Sequence, residues 1–155
     1  MLDSDNAAFI QTGVSISLAS CGPDHLPNMS RGLGCKLLEG GSQVAVFVRR
    51  SQSQALVDHI RHSGRVANVF SLPSSNRTLQ LKGSDARIVP FAPADLTIVD
   101  KHLADFILEV IPLGMAEAVV RAILASRPDD LATVVYTPCA VFSQTPGPKA
   151  GERLG

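Results

Sequence analysis

The chain contains no tryptophan, one tyrosine and three cysteines in 155 residues. So few aromatic rings provide little of the stacking surface on which single-stranded nucleic acids bind. The cysteines are odd in number and form no CxxC pair, which argues against a disulfide framework and against a zinc site. We therefore expect a reducing environment, no metal centre and no nucleic-acid partner, with Cys21, Cys35 and Cys139 as small core side chains.

Net charge and long apolar runs are missing too. Fourteen acidic residues balance fourteen lysines and arginines, so no overall field attracts the chain to nucleic acid or to an anionic membrane. No apolar run reaches the ~18 residues of a membrane span, and residues 1–8 lack the basic start of a signal peptide. The expectation is a cytoplasmic protein that binds no membrane, with residues 1–155 in a single domain.

Alternation of apolar and polar residues dominates the first half of the chain. Residues 13–19 alternate between aliphatic side chains and serines or glycine, as a half-buried strand does. A turn rich in Gly and Pro separates them from residues 28–38, so these two strands are predicted to pair as an antiparallel hairpin. Further strand-forming segments are predicted at 43–48, 65–72, 77–83 followed by 85–89, and 131–144.

Helical periodicity is found in three places. Residues 51–63 suit a short helix, and Gly64 suits the position just after its end. Residues 94–110 and 114–126 are predicted to form an αα-hairpin around Pro112-Leu113-Gly114. Six strands with one small helix after the third predict a closed or partly closed antiparallel barrel. A barrel of this size covers little of its own ends, so we expect a homodimer.

The segment Arg31-Gly32-Leu33-Gly34-Cys35-Lys36 is the most informative one. Strict alternation would place Arg31, Leu33 and Cys35 on one face, and Gly32, Gly34 and Lys36 on the other. Two glycines weaken a strand unless a flat ring or another chain approaches its backbone closely. They are equally compatible with a bulge or a barrel corner.

Arginines and hydroxyl groups are concentrated where the third strand meets the short helix. In Arg49-Arg50-Ser51-Gln52-Ser53, free backbone N–H groups and the helix dipole would attract an anion, so this segment is a candidate phosphate site. The alternative is an ordinary serine N-cap beside solvated arginines. His59 and His62 are three residues apart, but nothing completes a metal site around them, and His102 falls on the polar side of its helix.

Taken in order, these segments resemble the pyridoxamine 5'-phosphate oxidase-like FMN-binding split-barrel family. In that family, an Arg and a Lys five residues apart on the second strand contact the flavin and its phosphate, and Arg31 and Lys36 have this spacing. The family's third strand matches Val46-Phe47. The serine that opens the family's helix matches Ser51 or Ser53. The Arg on the strand after that helix matches Arg77-Thr78.

The resemblance implies an α+β fold, mainly β: a six-stranded antiparallel split β-barrel with the αα-hairpin 94–126 as an insertion. It also implies a homodimer that binds FMN through Arg31, Gly32, Leu33, Gly34, Lys36, Val46, Phe47, Ser51, Ser53, Arg77 and Thr78.

The function implied is that of an FMN-dependent oxidoreductase acting on an unidentified small molecule, with no catalytic residue assigned. The family's basic pair after the phosphate-binding serine is absent here, because Gln52 or Gln54-Ala55 stands in its place. Two alternatives therefore stay open. One is a haem- or deazaflavin-binding relative of the same barrel, and the other is a non-catalytic dimeric scaffold whose cofactor site has decayed.

Overall fold

Nine antiparallel strands form one sheet in the computed structural model, which describes residues 2–154. Along the sheet their order is β6-β7-β3-β2-β1-β4-β5-β8-β9. In chain order the strands are β1 Ser15–Cys21, β2 Pro27–Leu38, β3 Gln43–Arg49, β4 Val66–Ser71, β5 Thr78–Gly83, β6 Arg87–Pro90, β7 Leu131–Tyr136, β8 Ala140–Ser143 and β9 Arg153–Leu154. The four α-helices are α1 Ser4–Phe9, α2 Gln54–Ser63, α3 Leu96–Val110 and α4 Glu117–Leu124.

The sheet curls on itself into a barrel. Asn68 on β4 donates a hydrogen bond from Nδ2 to Oη of Tyr136 on β7, at 3.0 Å, although three strands separate β4 from β7 in the sheet. Only a curled sheet brings these two side chains together. The barrel interior holds the main apolar core, to which β1, β3, β4 and β5 contribute alternate residues: Ile16, Leu18, Val44, Val46, Val48, Val66, Phe70, Leu79 and Leu81.

Short helices add apolar side chains to this core. Phe9 and the adjoining Ile10 from α1, and Leu56 and Ile60 from α2, belong to the same cluster as the interior strand residues. The predicted end of α2 is confirmed, because Gly64 adopts φ 64° and its N–H donates to the Ile60 carbonyl at 2.7 Å. The helices therefore extend the buried core beyond the strands.

Helices α3 and α4 cover one part of the barrel's outer face. Leu33 on β2 and Phe47 on β3 form a second apolar cluster with Phe106 of α3 and Leu124 of α4. His102 lies on the same buried side of α3, with 8% of its surface exposed, so its prediction as a polar-face residue is wrong. The imidazole lies among the aliphatic residues of this helix that pack against the barrel, and it is buried together with them.

Two expectations need correction against this architecture, and a third stays a prediction. Six strands were predicted and nine are observed among the described residues. The segment 131–144 is not one strand, because the chain leaves the sheet at 137–139, around Pro138, and returns at a distant position: β7 pairs with β3 and β6, whereas β8 pairs with β5. Proline has no N–H to donate, which breaks the ladder there. The helices at 94–126 are present, while their role as an inserted hairpin stays a prediction.

Among the described residues, none of the helices has the length and apolar character that crossing a membrane requires.

Candidate functional site

A bulge in β2 changes the orientation of the predicted cofactor residues. Gly32 pairs with Val48 and Cys35 pairs with Val46, so β2 has one more residue than β3 over this interval. Gly34 adopts φ 140°, a conformation that favours glycine. The sequence leaves open whether the two glycines mark a bulge or a close approach to the backbone, and a bulge is present.

The bulge corrects the alternation predicted from the sequence. Cys35 belongs to the interior core, whereas Leu33 belongs to the outer cluster, so they do not share a face. A Cβ at Gly32 would lie 2.5 Å from Cγ2 of Ile16, so Gly32 faces the interior. Arg31, before the bulge, and Lys36, after it, consequently both point to the outer face.

Lys36 is held in an ion pair at the start of α3. Its Nζ lies 2.6 Å and 2.7 Å from the two carboxylate oxygens of Asp95, whose side chain is only 10% exposed. The ammonium group is therefore compensated by a carboxylate of its own chain. Lys36 shares the outer face with Arg31, but it lies in the part that α3 covers.

The other predicted residues of β2 and β3 are covered as well. Leu33 and Phe47 are buried, and the Phe47 ring packs edge-on against Phe91 at 5.3 Å between ring centroids. A Cβ at Gly34 would lie 3.4 Å from Cβ of His102. Val46 points into the barrel interior, where a Cβ at Gly32 would lie 3.0 Å from its Cγ1, so these two predicted residues are on the opposite side of the sheet from Arg31 and Lys36.

Burial also sets the protonation of His102. Desolvation lowers the pKa of this imidazole from 6.5 to about 4, and the nearby Asp105 carboxylate offsets only part of the effect. Its ring stacks on Phe106, at 6.3 Å between centroids. At neutral pH His102 is thus an uncharged group packed beside the β2 bulge.

The candidate phosphate site is occupied by a carboxylate of the chain itself. The backbone N–H of Ser51 donates to Oδ1 of Asp130 at 2.8 Å, and its hydroxyl donates to Oδ2 at 2.5 Å. These hydrogen bonds, the hydroxyl one foremost, lower the pKa of Asp130 below its usual value. Nearby, Arg49 donates to the carbonyl oxygens of Ile123 and Ala125, at 2.7 Å and 2.8 Å, at the end of α4.

The start of α2 is also later than predicted. Residues 50–52 form a 3₁₀ turn, and the helix begins at Gln54 with Ser53 as its N-cap. Ser53 is almost fully buried, at 1% exposure, and its carbonyl accepts the Val57 N–H at 2.9 Å. Ser51, by contrast, is exposed and precedes the helix by three residues.

Arg77 and Thr78 lie near α1. Nη2 of Arg77 donates to Oδ1 of Asn6 at 2.9 Å, and the guanidinium lies 4.1 Å above the centre of the Phe9 ring. The Thr78 and Ser71 hydroxyls form a hydrogen bond of 2.7 Å. Arg77 is therefore tied to the helix, while Thr78 belongs to the sheet surface.

Strand register places Arg31 and Thr78 on one continuous surface. Ser17 pairs with Arg31, Ser15 pairs with Ser71, and Ser71 pairs with Thr78, so all five side chains point outward. Nη1 of Arg31 donates to Oγ of Ser15 at 3.3 Å. We define the open face as this surface of β2, β1, β4 and β5, where the side chains are exposed or half-buried: Ser15, Ser17, Arg31, Val69, Ser71, Thr78 and Gln80.

The thiols differ in reactivity, and no metal cluster is formed. Burial raises the pKa of Cys35 to about 12, which makes this thiol inert, whereas Cys139 is exposed and Cys21 half-buried. Within residues 2–154, no three His, Cys, Asp or Glu side chains are grouped as metal ligands would be.

Solved structures of the same architecture match nearly the whole chain. An F420 reductase is 17% identical with a TM-score of 0.57, over 90% of this chain and 98% of that chain. A candidate pyridoxamine 5'-phosphate oxidase from Lactobacillus delbrueckii is 11% identical with a TM-score of 0.57, over 91% and 93%. This chain has the split-barrel fold of the pyridoxamine 5'-phosphate oxidase-like proteins.

A further split barrel of known structure is HutZ, a haem storage protein from Vibrio cholerae. It is 12% identical with a TM-score of 0.50, over 92% of this chain and 94% of that chain. No protein-family model and no curated protein matches the sequence. The resemblance found in the sequence is confirmed at the level of the fold, and the cofactors of these split barrels differ among themselves.

Sequence reasoning missed two residues that shape the predicted site of this split barrel. Asp95 and Asp130 are far from their partners in sequence, 59 residues from Lys36 and 79 residues from Ser51. Neither carboxylate is part of a local motif, so no sequence signal revealed them. The serines of the open face were visible as the polar half of an alternating strand, but their alignment with Arg31 depends on strand register.

Proposed function

We propose that the chain binds FMN on the open face of its split barrel, beside Arg31, and that a second copy of the chain completes the site. On this proposal the protein is an oxidoreductase acting on a small molecule. The observation that supports it is the shared orientation of Arg31 and Thr78 on a surface of small, hydroxyl-bearing side chains. The fold matches to cofactor-binding split barrels agree with it.

The residues of the open face fit a phosphorylated planar ring. Arg31 is exposed, and its guanidinium has donors to spare beyond the hydrogen bond to Ser15, so it can meet a phosphate bidentately. The serine side chains are short, which allows a flat ring to lie close to the sheet. Thr78 and Gln80 add polar groups at the far side, where hydrogen bonds to the ring edge are possible.

Bound flavin would supply hydride or electron transfer, and the protein would supply the surroundings for it. Arg31 would neutralise the phosphate and fix the ring's position along β2. The Thr78 hydroxyl would orient the ring edge from β5. A second subunit laid over the open face would exclude water and form the remaining wall of the substrate site.

A deazaflavin is the second candidate cofactor. It is favoured by the match to the F420 reductase, because F420 carries a similar tricyclic ring and also has phosphate attached. Haem is the third, suggested by the match to HutZ. Haem requires an axial ligand, and the neutral His102 is buried under α3 rather than placed on the open face.

The test is a titration of purified, cofactor-free protein with FMN, F420 and hemin in parallel. FMN is expected to bind saturably in the micromolar range or below, seen as quenching of its fluorescence. Arg31→Ala should weaken this binding at least tenfold, whereas Arg61→Ala, which removes an exposed arginine on α2, should leave it unchanged.

Three outcomes would overturn the proposal. Saturable binding of F420 or hemin without binding of FMN would assign another cofactor to the fold. Binding of none of the three would favour the non-catalytic scaffold. Equal FMN affinity in the Arg31 and Arg61 variants would move the flavin away from the open face.

A further inference from the structure

A cavity of about 440 Å³ lies where β1 ends, β4 begins and β5 ends. It borders the open face without sharing a residue with it, because Ala19, Ala67 and Lys82 are the next outward-facing residues after Ser17, Val69 and Gln80 on the same three strands. The groups that would hold a ligand here, Arg65 and Lys82, are not those assigned to the flavin, so binding in this cavity does not depend on flavin binding.

Basic groups and small apolar groups line this cavity together. Arg65 and Lys82 are its charged residues, both exposed at its rim, and none of its eleven lining residues is acidic. Ala19, Val66 and Ala67 form part of its wall. Such a mixture of an apolar wall with a few convergent polar groups is typical of small-molecule sites.

Neighbouring contacts strengthen the positive character of the cavity. Nζ of Lys82 lies 4.9 Å from the centre of the Phe142 ring, and no carboxylate within residues 2–154 forms an ion pair with it. Arg153 adds a third cation close by, since its Nη2 lies 3.4 Å from the Cys139 carbonyl. The nearest acidic residue in sequence, Asp85, already accepts the Thr137 N–H at 2.8 Å.

We propose that this cavity binds a small organic anion, with a carboxylate or phosphate group held by Arg65 and Lys82 and an apolar body against the alanine-lined wall. The charge of the protein as a whole is zero, so attraction of an anion has to come from such a local pair. A volume of about 440 Å³ fits a ligand of the size of a substituted benzene ring and excludes a dinucleotide.

Two cysteines make the cavity directly observable. Cys21 and Cys139 both line it, while Cys35 is buried in the barrel core. A ligand in the cavity should shield the first two thiols from a small alkylating reagent. Cys35 provides an internal control, because it should stay unmodified with or without ligand.

The experiment measures N-ethylmaleimide alkylation of each cysteine by mass spectrometry, with phenyl phosphate, phenylacetate or phenol added. Phenyl phosphate or phenylacetate should slow alkylation of Cys21 and Cys139 several-fold and saturably. Phenol, which has the ring but no charge, should have no such effect. Arg65→Gln and Lys82→Gln should each abolish the protection, and Arg61→Gln should retain it.

The outcomes that contradict the proposal are equally specific. Protection by phenol at the same concentration would show that charge plays no part, and unchanged protection in both cavity variants would place the anion elsewhere. Absence of protection at millimolar phenyl phosphate and phenylacetate would remove the site. FMN titration of the same variants separates the two proposals, because neither Arg65 nor Lys82 is among the residues assigned to the flavin.

Discussion

At the scale of single residues, two carboxylates of the chain bind groups that the sequence assigns to a phosphate. Asp95 pairs with Lys36, and Asp130 accepts both hydrogen bonds of Ser51. A carboxylate that accepts hydrogen bonds from a backbone N–H and a hydroxyl takes the position that the oxygens of a bound phosphate would take. A ligand phosphate could reach Ser51 only by displacing Asp130.

This competition can be tested with Asp130→Ala. The substitution frees the Ser51 N–H and hydroxyl and removes a negative charge near Arg49, so FMN affinity should rise severalfold in a fluorescence titration. Asp129→Ala is the matched control, because Asp129 is equally acidic but pairs with Arg127 on the surface. Equal affinities in the two variants would show that the phosphate does not approach Ser51.

His102 gives the protein a calculable dependence on pH. Burial lowers its folded pKa to about 4, below the ~6.5 of an unfolded chain, so between these values only the unfolded chain takes up the proton. The stability that depends on a neutral His102 is complete above pH ~6.5 and is lost as pH falls toward 4. The full loss, reached below pH 4, is about 3–4 kcal/mol at 1.36 kcal/mol per unit.

Urea unfolding at pH 7 and at pH 4 measures this loss. The wild-type protein should lose about 2–3 kcal/mol more between these conditions than His102→Leu, which has no imidazole to protonate. His62→Leu removes an exposed histidine and should behave like the wild type. Parallel behaviour of all three proteins would mean that His102 is protonated without cost in the folded state.

At the scale of elements, the sequence predicted those features that depend on local pattern. The first three strands, the helix ending at Gly64 and the apolar stripe of α3 follow from period and from turn residues, and all are present. For Gly32 and Gly34, the sequence predicts either a bulge in β2 or a close approach to its backbone, and local pattern does not choose between them. The consequence of the bulge, Arg31 and Lys36 on one face, depends on how β2 pairs with β3, which no local pattern records.

Segment 131–144 illustrates the same limit. Apart from Pro138, its residues favour a strand, so the sequence predicts one final strand that the proline interrupts at an edge or a bulge. The two halves nevertheless pair with strands on opposite sides of the sheet order, β3 and β5. Long-range pairing, with Pro138 at the break, decided the outcome, and it also placed Tyr136 against Asn68 inside the barrel.

The bulge also supports a prediction about stability. Alanine at position 34 would be held at φ 140°, with its Cβ 3.4 Å from Cβ of His102 and 3.5 Å from the Ile98 carbonyl oxygen. Gly34→Ala should therefore lower the free energy of unfolding by about 1–3 kcal/mol, because a φ of 140° is strained for any residue with a Cβ, although the contacts of that Cβ are of ordinary length.

Gly40→Ala is the matched comparison for backbone strain. Gly40 has φ 65°, in the left-handed region that other residues sometimes adopt, with no atom within 4 Å of the added Cβ, so its variant should cost about 1 kcal/mol. Both free energies come from urea unfolding. If Gly34→Ala is as mild as Gly40→Ala, or milder, the bulge accepts a side chain at position 34 without strain.

At the scale of the whole molecule, the barrel has one covered and one uncovered outer surface. Leu33 and Phe47 lie under α3 and α4, whereas Arg31, Val69 and Thr78 lie on the open face. Two copies that meet through their open faces would bury the half-exposed sheet of both and enclose a flat ligand between them. The dimer and the cofactor site would then form together.

This coupling predicts the behaviour of Val69→Asp. A carboxylate at the centre of the open face would have to be buried without a partner in the dimer, so the variant should sediment as a monomer of 16.4 kDa and should lose FMN binding as well. The wild-type protein should sediment at twice that mass. Analytical ultracentrifugation with and without FMN measures both effects in one experiment.

The control variant changes a different exposed apolar surface of the molecule, on helix α4. Val119 on α4 is 49% exposed and lies among other exposed apolar residues, so Val119→Asp places the same charge on an apolar site that is more accessible than the half-buried Val69. It should leave the dimer and FMN binding intact if copies meet through the open face. A monomeric Val119→Asp beside a dimeric Val69→Asp would assign the interface to the helices, and the flavin surface would then have to be complete within one subunit.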